Sequence, residues 1–328
     1  MHRILILTGP GGDAQGWGDL NVTRTVAEAL NGANLSAEIA YVEDTGAFLA
    51  AVGRRDFDIV WSALYHVSEQ VDTIALTGDG AVWVADTLDQ RGIPYIGPNA
   101  LTMKQLIRKH DTHQVLQAHG VAVPRHALVR PGDPVPDFGY PAFVKPEAES
   151  RSVGIADASV VHYPGELERR AAYIHETFQQ AALVEEYLPG PEYTVGMFGN
   201  GRHQEFLTGL VTVEPSRYGK YPILRSDLRG VGLTRLSVPA ERVEEAIELT
   251  RAATDALQCW DHVRVDLRVA ADGRLRIMEV NGIPGLKPVK SWSPQLYSLY
   301  HPSERGTAEE YRAMLHLIVG SALERWGL

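Results

Sequence analysis

Residues 263–285, VRVDLRVAADGRLRIMEVNGIPG, constrain this chain more than any other stretch. Two alternating runs flank Asp272-Gly273, a dipeptide that signals a hairpin turn. Side chains alternate across a strand. Arg264, Asp266 and Arg268 therefore share one face, and Val263, Val265 and Leu267 the other. On the second run the same rule groups Ile277, Glu279 and Asn281. A hairpin that sets Asp266 against Glu279 and Asn281 converges two carboxylates and an amide oxygen. These are hard ligands, suited to Mg²⁺ and poorly suited to zinc. Arg264 lies on the carboxylate face, where it can meet a phosphate or a developing oxyanion through two N–H groups. A solvated hairpin face carrying charges is the competing reading of this pattern.

The rest of the chain divides by pattern. Apolar runs at 3–8, 37–42 and 57–63 read as strands, and helices are expected after Asp19, near 45–53 and near 80–91. This alternation predicts a parallel α/β sheet in the first hundred residues. Pro98-Asn99 marks a boundary, followed by a helix over 100–119. Short strands at 126–129, 142–145, 153–156 and 182–186, with a helix at 165–180, predict a small α+β unit. Beyond Pro189-Gly190, strands are expected at 192–198, 204–212, 262–270 and 274–280. Helices are expected at 240–257 and 307–325, and 214–235 is irregular. The expected organisation is an N-terminal α/β domain (1–98), a small central unit (99–187) and a C-terminal unit with the metal site (188–328).

Composition narrows the partners. A net charge of −10 argues against nucleic acid. Cys259 is the only cysteine, so no internal disulfide or cysteine-rich zinc site can form. No run approaches the ~18 apolar residues of a membrane span. A cytoplasmic protein acting on small molecules is expected, assembled as a homodimer. Gly9, Gly11 and Ala14 formally match a dinucleotide-binding G-x-G-x-x-A, but Gly16, Trp17 and Gly18 delay the helix that should meet the pyrophosphate. A loop lining a ligand crevice is the preferred reading there, and an NAD-dependent oxidoreductase the remote one.

Taken in order, the motifs resemble the ATP-grasp superfamily, and within it the D-alanine–D-alanine ligase group. The resemblance is carried by Lys109, Thr112, Leu116 and Gly120, then Phe143-Val144-Lys145-Pro146 with Ser152 and Gly154. It continues through Val184-Glu185-Glu186-Tyr187-Leu188, Glu192, Lys220-Tyr221 and the spaced set Cys259, Arg264, Asp266, Glu279, Asn281, Pro284, Gly285. It implies an ATP-grasp fold behind an N-terminal α/β domain. It also implies ATP and magnesium as cofactors, with two ions expected and manganese an acceptable substitute. Lys109, Lys145, Ser150 and Lys220 would meet phosphates, Glu185, Glu186, Tyr187 and Leu188 the adenine, and Glu192 the ribose. Asp266, Glu279 and Asn281 would hold the metal, and Arg264, Gly285 and Ser152 would act in catalysis. The implied reaction joins a carboxylate to an amine through an acyl phosphate. An ester- or thioester-forming ligase, a phosphoryl transferase and a nucleotide binder without catalysis are the alternatives.

The substrate end departs from the family's pattern. GPGGDAQGWGDLN replaces the acidic motif after the first strand, leaving Asp13, Asp19 or neither to hold an amino group. Leu64-Tyr65-His66 stands where the family has Leu-His-Gly, so His66 is a candidate. Lys287 and Lys290 stand among residues that are usually small and hydroxylated, and Ser291 serves after a one-residue shift. With Tyr221 these complete the candidate substrate contacts. Substrates other than two D-alanines are expected, with ligation of two D-alanines itself the alternative.

Overall fold

The computed structural model describes residues 1–68, 78–229 and 232–328. Its first sheet has four parallel strands in the order Leu35–Tyr41, His2–Thr8, Ile59–Ser62 and Tyr95–Ile96. The continuous run Ile4–Leu7 is buried throughout, as a strand covered on both faces must be. Asp19 caps the helix Leu20–Leu30 by accepting from the N–H groups of Asn21 and Val22. Residues 9–18, between strand and helix, stand at the carboxyl edge of the sheet, where open α/β folds bind ligands.

Two antiparallel sheets follow. His126–Val129, Ala182–Glu186, Ala142–Pro146 and Val160–Val161 form the smaller, backed by helix Pro164–Phe178 through Leu167, Ala171 and Ile174. The larger runs Thr234–Ser237, Glu205–Val213, Glu192–Phe198, His262–Val269, Leu275–Asn281. Helix Val243–Ala256 covers it through Ala246 and Ala253. Leu106 and Leu116, before the small sheet in sequence, pack in this larger core.

The C-terminal helix Thr307–Trp326 returns to the first domain. Met314, Leu315, Ile318 and Val319 share a core with Leu5, Val26 and Phe48. Arg325 pairs at 2.7 Å with the fully buried Asp261, whose carboxylate also accepts from the N–H of Gly97. The core of the first domain is thus completed by the C-terminal helix. Among the described residues no helix is long and apolar enough to cross a membrane.

Three expectations need correction. The helix expected over 100–119 is two, Ala100–Ile107 and Lys109–Ala118, because Arg108 leaves helical geometry at φ −96°, ψ 98°. Residues 153–156 form no strand: positive φ at Arg151, Ser152 and Gly154 curls them into turns. A helix at Trp292–Tyr300 was not expected, its Pro294 lying in the first turn, where proline is tolerated.

Candidate active site

The hairpin forms with Asp266 directly opposite Glu279 and Arg264 opposite Asn281. The register slips between Asp266 and Leu267, so Ile277 pairs with Leu267 and Met278 is the extra residue of a bulge. Ile277 therefore belongs to the fully buried core and not to the carboxylate face expected from strict alternation. Glu279 and Asn281 do share that face with Asp266, and Met278 reaches the cavity beside them.

Two cavities meet at this hairpin. The first, open to solvent, spans about 810 Å³ between the two antiparallel sheets, and its lining includes Lys145, Ser152, Tyr187, Glu192, Ile223 and Met278. Lys145 stands on the small sheet with its Nζ 2.8 Å from the Glu185 carboxylate. The ring of His113 lies on the other side of Glu185. A carbonyl oxygen only accepts, so the 3.3 Å contact to Met278 O places the proton of His113 on Nε2. Burial, and then the nearby Lys145, hold His113 well below its ordinary pKa, so it is neutral and Lys145 is the ion-pair partner of Glu185. Glu185, expected at the adenine, lines this cavity together with Glu186, Tyr187 and Leu188, its carboxylate paired with Lys145. Glu192 faces Arg268 at 3.6 Å in strand register, and burial pushes its carboxyl up despite that guanidinium.

At the junction Lys109 lies 3.1 Å from Glu279 and 2.5 Å from the carbonyl of Glu149. Asp266 accepts twice from Arg264 at 2.9 Å and once from Thr194 at 2.7 Å. Burial pushes its carboxyl up, but Arg264 and Thr194 outweigh that and hold it below the usual carboxylate range. Asn281 turns its amide N–H groups to Asp266 and to Arg264 O, each at 3.3 Å. Among the described residues its oxygen and the second oxygen of Glu279 have no partner. With Asp266 they make a hard-oxygen set that fits a magnesium ion sharing its shell with phosphates. Among the described residues no cluster of three or more His, Cys, Asp or Glu offers an alternative.

The second cavity, about 1440 Å³, runs from Glu279 and Asn281 to the loop after the first strand. Arg264, Gly285, Ser291, Trp292, Lys287 and Lys290 line one side, Asp13, Asp19 and Tyr65 the other. A Cβ on Gly285 would come within 2.7 Å of Ser291 Oγ, which already accepts from the N–H of Lys287. Lys287 and Lys290 are exposed and have no carboxylate within ion-pair distance among the described residues. Ser150 faces this cavity and not the phosphate end expected of it, donating to Ala14 O at 2.9 Å. Arg151 beside it reaches Asp13 at 2.5 Å.

Three candidates lie elsewhere. His66 is buried against Trp83, with its backbone held by the Gln15 side chain, and it does not line the cavity. Its neighbour Tyr65 does: the buried phenol oxygen accepts from the N–H groups of Gly282 and Ile283, both at 3.0 Å. Lys220 lies in solvent with its ammonium over the Tyr221 ring, and Tyr221 meets His162 at 2.5 Å. Neither lines a cavity of this site. Arg229 and Trp292, which sequence reasoning missed, stand at the junction.

An ATP-grasp architecture, two antiparallel sheets closing on a nucleotide-sized cleft behind a parallel α/β domain, is what this fold and site define. A family model described as D-ala D-ala ligase C-terminus matches residues 121–298. A D-alanine–D-alanine ligase of Desulforudis audaxviator is 31% identical over 264 residues, covering 77% of this chain and 81% of that protein. The Bacillus anthracis D-alanine–D-alanine ligase structure complexed with ATP superposes with a TM-score of 0.72 at 21% identity, over 99% of this chain and 98% of that one. The VanG D-Ala:D-Ser ligase of Enterococcus faecalis gives 0.70 at 18% identity, over 98% and 99%. The chain belongs to the D-alanine–D-alanine ligase family of ATP-grasp C–N ligases.

Proposed function

We propose that this protein uses ATP to join the carboxylate of one amino acid, or a similar acid, to the amine of another, and that the pair is not two D-alanines. The observation that carries the reading is the meeting of the two cavities at Lys109 and Glu279, where phosphoryl donor and acid would touch. The relative solved with ATP supports the nucleotide. Adenine would lie against Glu186, Tyr187 and Leu188, ribose against Glu192, and the phosphates against Lys109, Lys145 and Ser152. Asp266, Glu279 and Asn281 would hold magnesium, which neutralises phosphate charge and orients the triphosphate.

The acid's oxygen attacks the γ-phosphorus, and the bond to the β-bridging oxygen breaks with its electron pair leaving on ADP. The amine nitrogen then attacks the acyl carbon. Charge collects on the carbonyl oxygen, where Arg264 and the N–H of Gly285 are the donors at hand. The C–O bond to phosphate breaks, and phosphate leaves carrying the amine's proton. Lys287 and Lys290, exposed at the mouth of the second cavity, favour an acceptor whose carboxylate is placed differently from that of D-alanine. The relatives named D-alanine–D-alanine ligase favour the second reading, ligation of two D-alanines. A cytoplasmic homodimer belongs to the proposal too, and sedimentation measures the assembly.

Glu279→Gln keeps the shape of the junction and removes its least encumbered carboxylate. Turnover should fall at least ~100-fold in a variant that still folds, its thermal midpoint lowered because Lys109 loses its counterion. Wild-type rates in the variant would refute the metal assignment.

A further inference from the structure

Cations line the nucleotide cavity, and nearly all have an anion already. Lys109 has Glu279, Lys145 has Glu185, and Arg268 has Glu192. Arg229 alone among them has no carboxylate within ion-pair distance among the described residues. Among the described residues its one hydrogen bond is from Nε to Ser152 Oγ, at 2.8 Å, and neither terminal nitrogen has an acceptor. The guanidinium rests over the Trp292 ring at 5.2 Å and borders both cavities. A partly buried guanidinium that borders two cavities with no counterion is costly to leave unpaired, so such an arrangement anticipates an anion.

Its neighbours say which anion. Ser152 spends its oxygen on Arg229, which leaves its O–H to donate. It sits at φ 59° next to Arg151 at φ 55°, two consecutive non-glycine residues in the left-handed region. Such geometry persists where surroundings enforce it, at clamps and switch points. Arg229 belongs to the segment that covers the first cavity through Ile223 and Leu224. Lys220, in that same segment, points into solvent.

We propose that Arg229, and not Lys220, is the cation this covering segment supplies to the transferred phosphoryl group of ATP. The proposal rests on the nucleotide reading above. A γ-phosphate would bridge Arg229 and Ser152 and so latch the covering segment to the 147–154 loop, whereas ADP would leave both unbridged.

The test compares affinities of the full-length protein for ADP and for the β,γ-imido analogue of ATP, each with Mg²⁺. Arg229→Gln should weaken the analogue by about 10- to 100-fold, the worth of a charged hydrogen-bonding group, and ADP by less than about 3-fold. Arg229→Lys should recover part of the loss, and Lys220→Ala should keep the wild-type ratio of the two affinities. An unchanged ratio in Arg229→Gln overturns the proposal. So does an equal loss of both nucleotides, which marks a structural role. A raised KM for the acid with an unchanged nucleotide ratio assigns Arg229 to a substrate carboxylate instead, and overturns it as well. If the wild-type protein binds neither nucleotide, the ATP reading fails and takes this role with it.

Discussion

Tyr65 shows how one side chain can hold a site it does not act in. Its phenol is buried and takes two backbone N–H groups, those of Gly282 and Ile283, that open the turn to Gly285. Tyr65→Phe leaves both donors buried and unpaired, a loss on the order of 2 kcal/mol or more. Urea unfolding should show it, together with a lower turnover number as Gly285 loses its support. A variant as stable as wild type would mean that water or another acceptor replaces the phenol. The sequence pointed one residue away, to His66. Strand geometry ends at Ser62, so alternation no longer says which of Leu64, Tyr65 and His66 faces the cavity. Lys145 was easier to find, being a charge at the end of an apolar strand, where burial demands a reason, whereas Glu192 was legible only through the family resemblance. Arg229 was not legible, because the irregular stretch around it has no period to assign it a face.

At the scale of elements, two departures from regular structure shape the site. The bulge at Met278 lets one hairpin send Ile277 to the core and Glu279 to the cavity, which a period of two forbids. The break at Arg108 opens a new helix at Lys109 and lets its ammonium reach Glu279 and Glu149. Neither carries a proline or glycine, the usual signs of such departures, so both had to be seen in three dimensions. The 147–154 loop is the third element. It closes the second cavity through Ser150 on Ala14 and Arg151 on Asp13. The Arg151–Asp13 pair is more than half exposed and contributes under about 1 kcal/mol to stability. Its effect should fall on coupling instead. Asp13→Ala should loosen the loop, admit water to the acyl phosphate, and raise phosphate release without product several-fold. Equal phosphate and product in that variant would argue that this contact does not guard the intermediate.

For the whole molecule, the first and last segments share one core, so truncation of the C-terminal helix exposes the parallel sheet. The N-terminal domain was legible from its strand–helix alternation. This closure was not, because the 307–326 helix reads as an ordinary amphipathic tail whatever it packs on. Buried histidines make the assembly sensitive to acid. Burial pushes His262 from 6.5 to about 3, and His113 also lies well below its ordinary value. Both are neutral in the folded state, while the unfolded chain takes up protons as pH falls below 6.5. Their contribution is therefore complete above that value and is lost on acidification toward 3, at up to ~1.4 kcal/mol per pH unit for each group. Between pH 6.5 and 4.5, above the range where Asp266 titrates, the urea midpoint should fall, and His262→Gln should flatten that fall. Glu192 and Glu147, raised by burial, act in the opposite sense but are common to both proteins, so an equal change of midpoint in wild type and His262→Gln would contradict the assignment.

The central claim is that phosphoryl donor and amino-acid substrates meet at the Lys109–Glu279 junction to make an amide. Its most direct test supplies ATP, Mg²⁺ and pairs drawn from an array of D- and L-amino acids, then measures phosphate release and product mass. The account predicts one or a few pairs that release ADP and phosphate, and a product lighter than the summed substrates by one water. Phosphate release that never depends on an amine, with no condensed product, would contradict it.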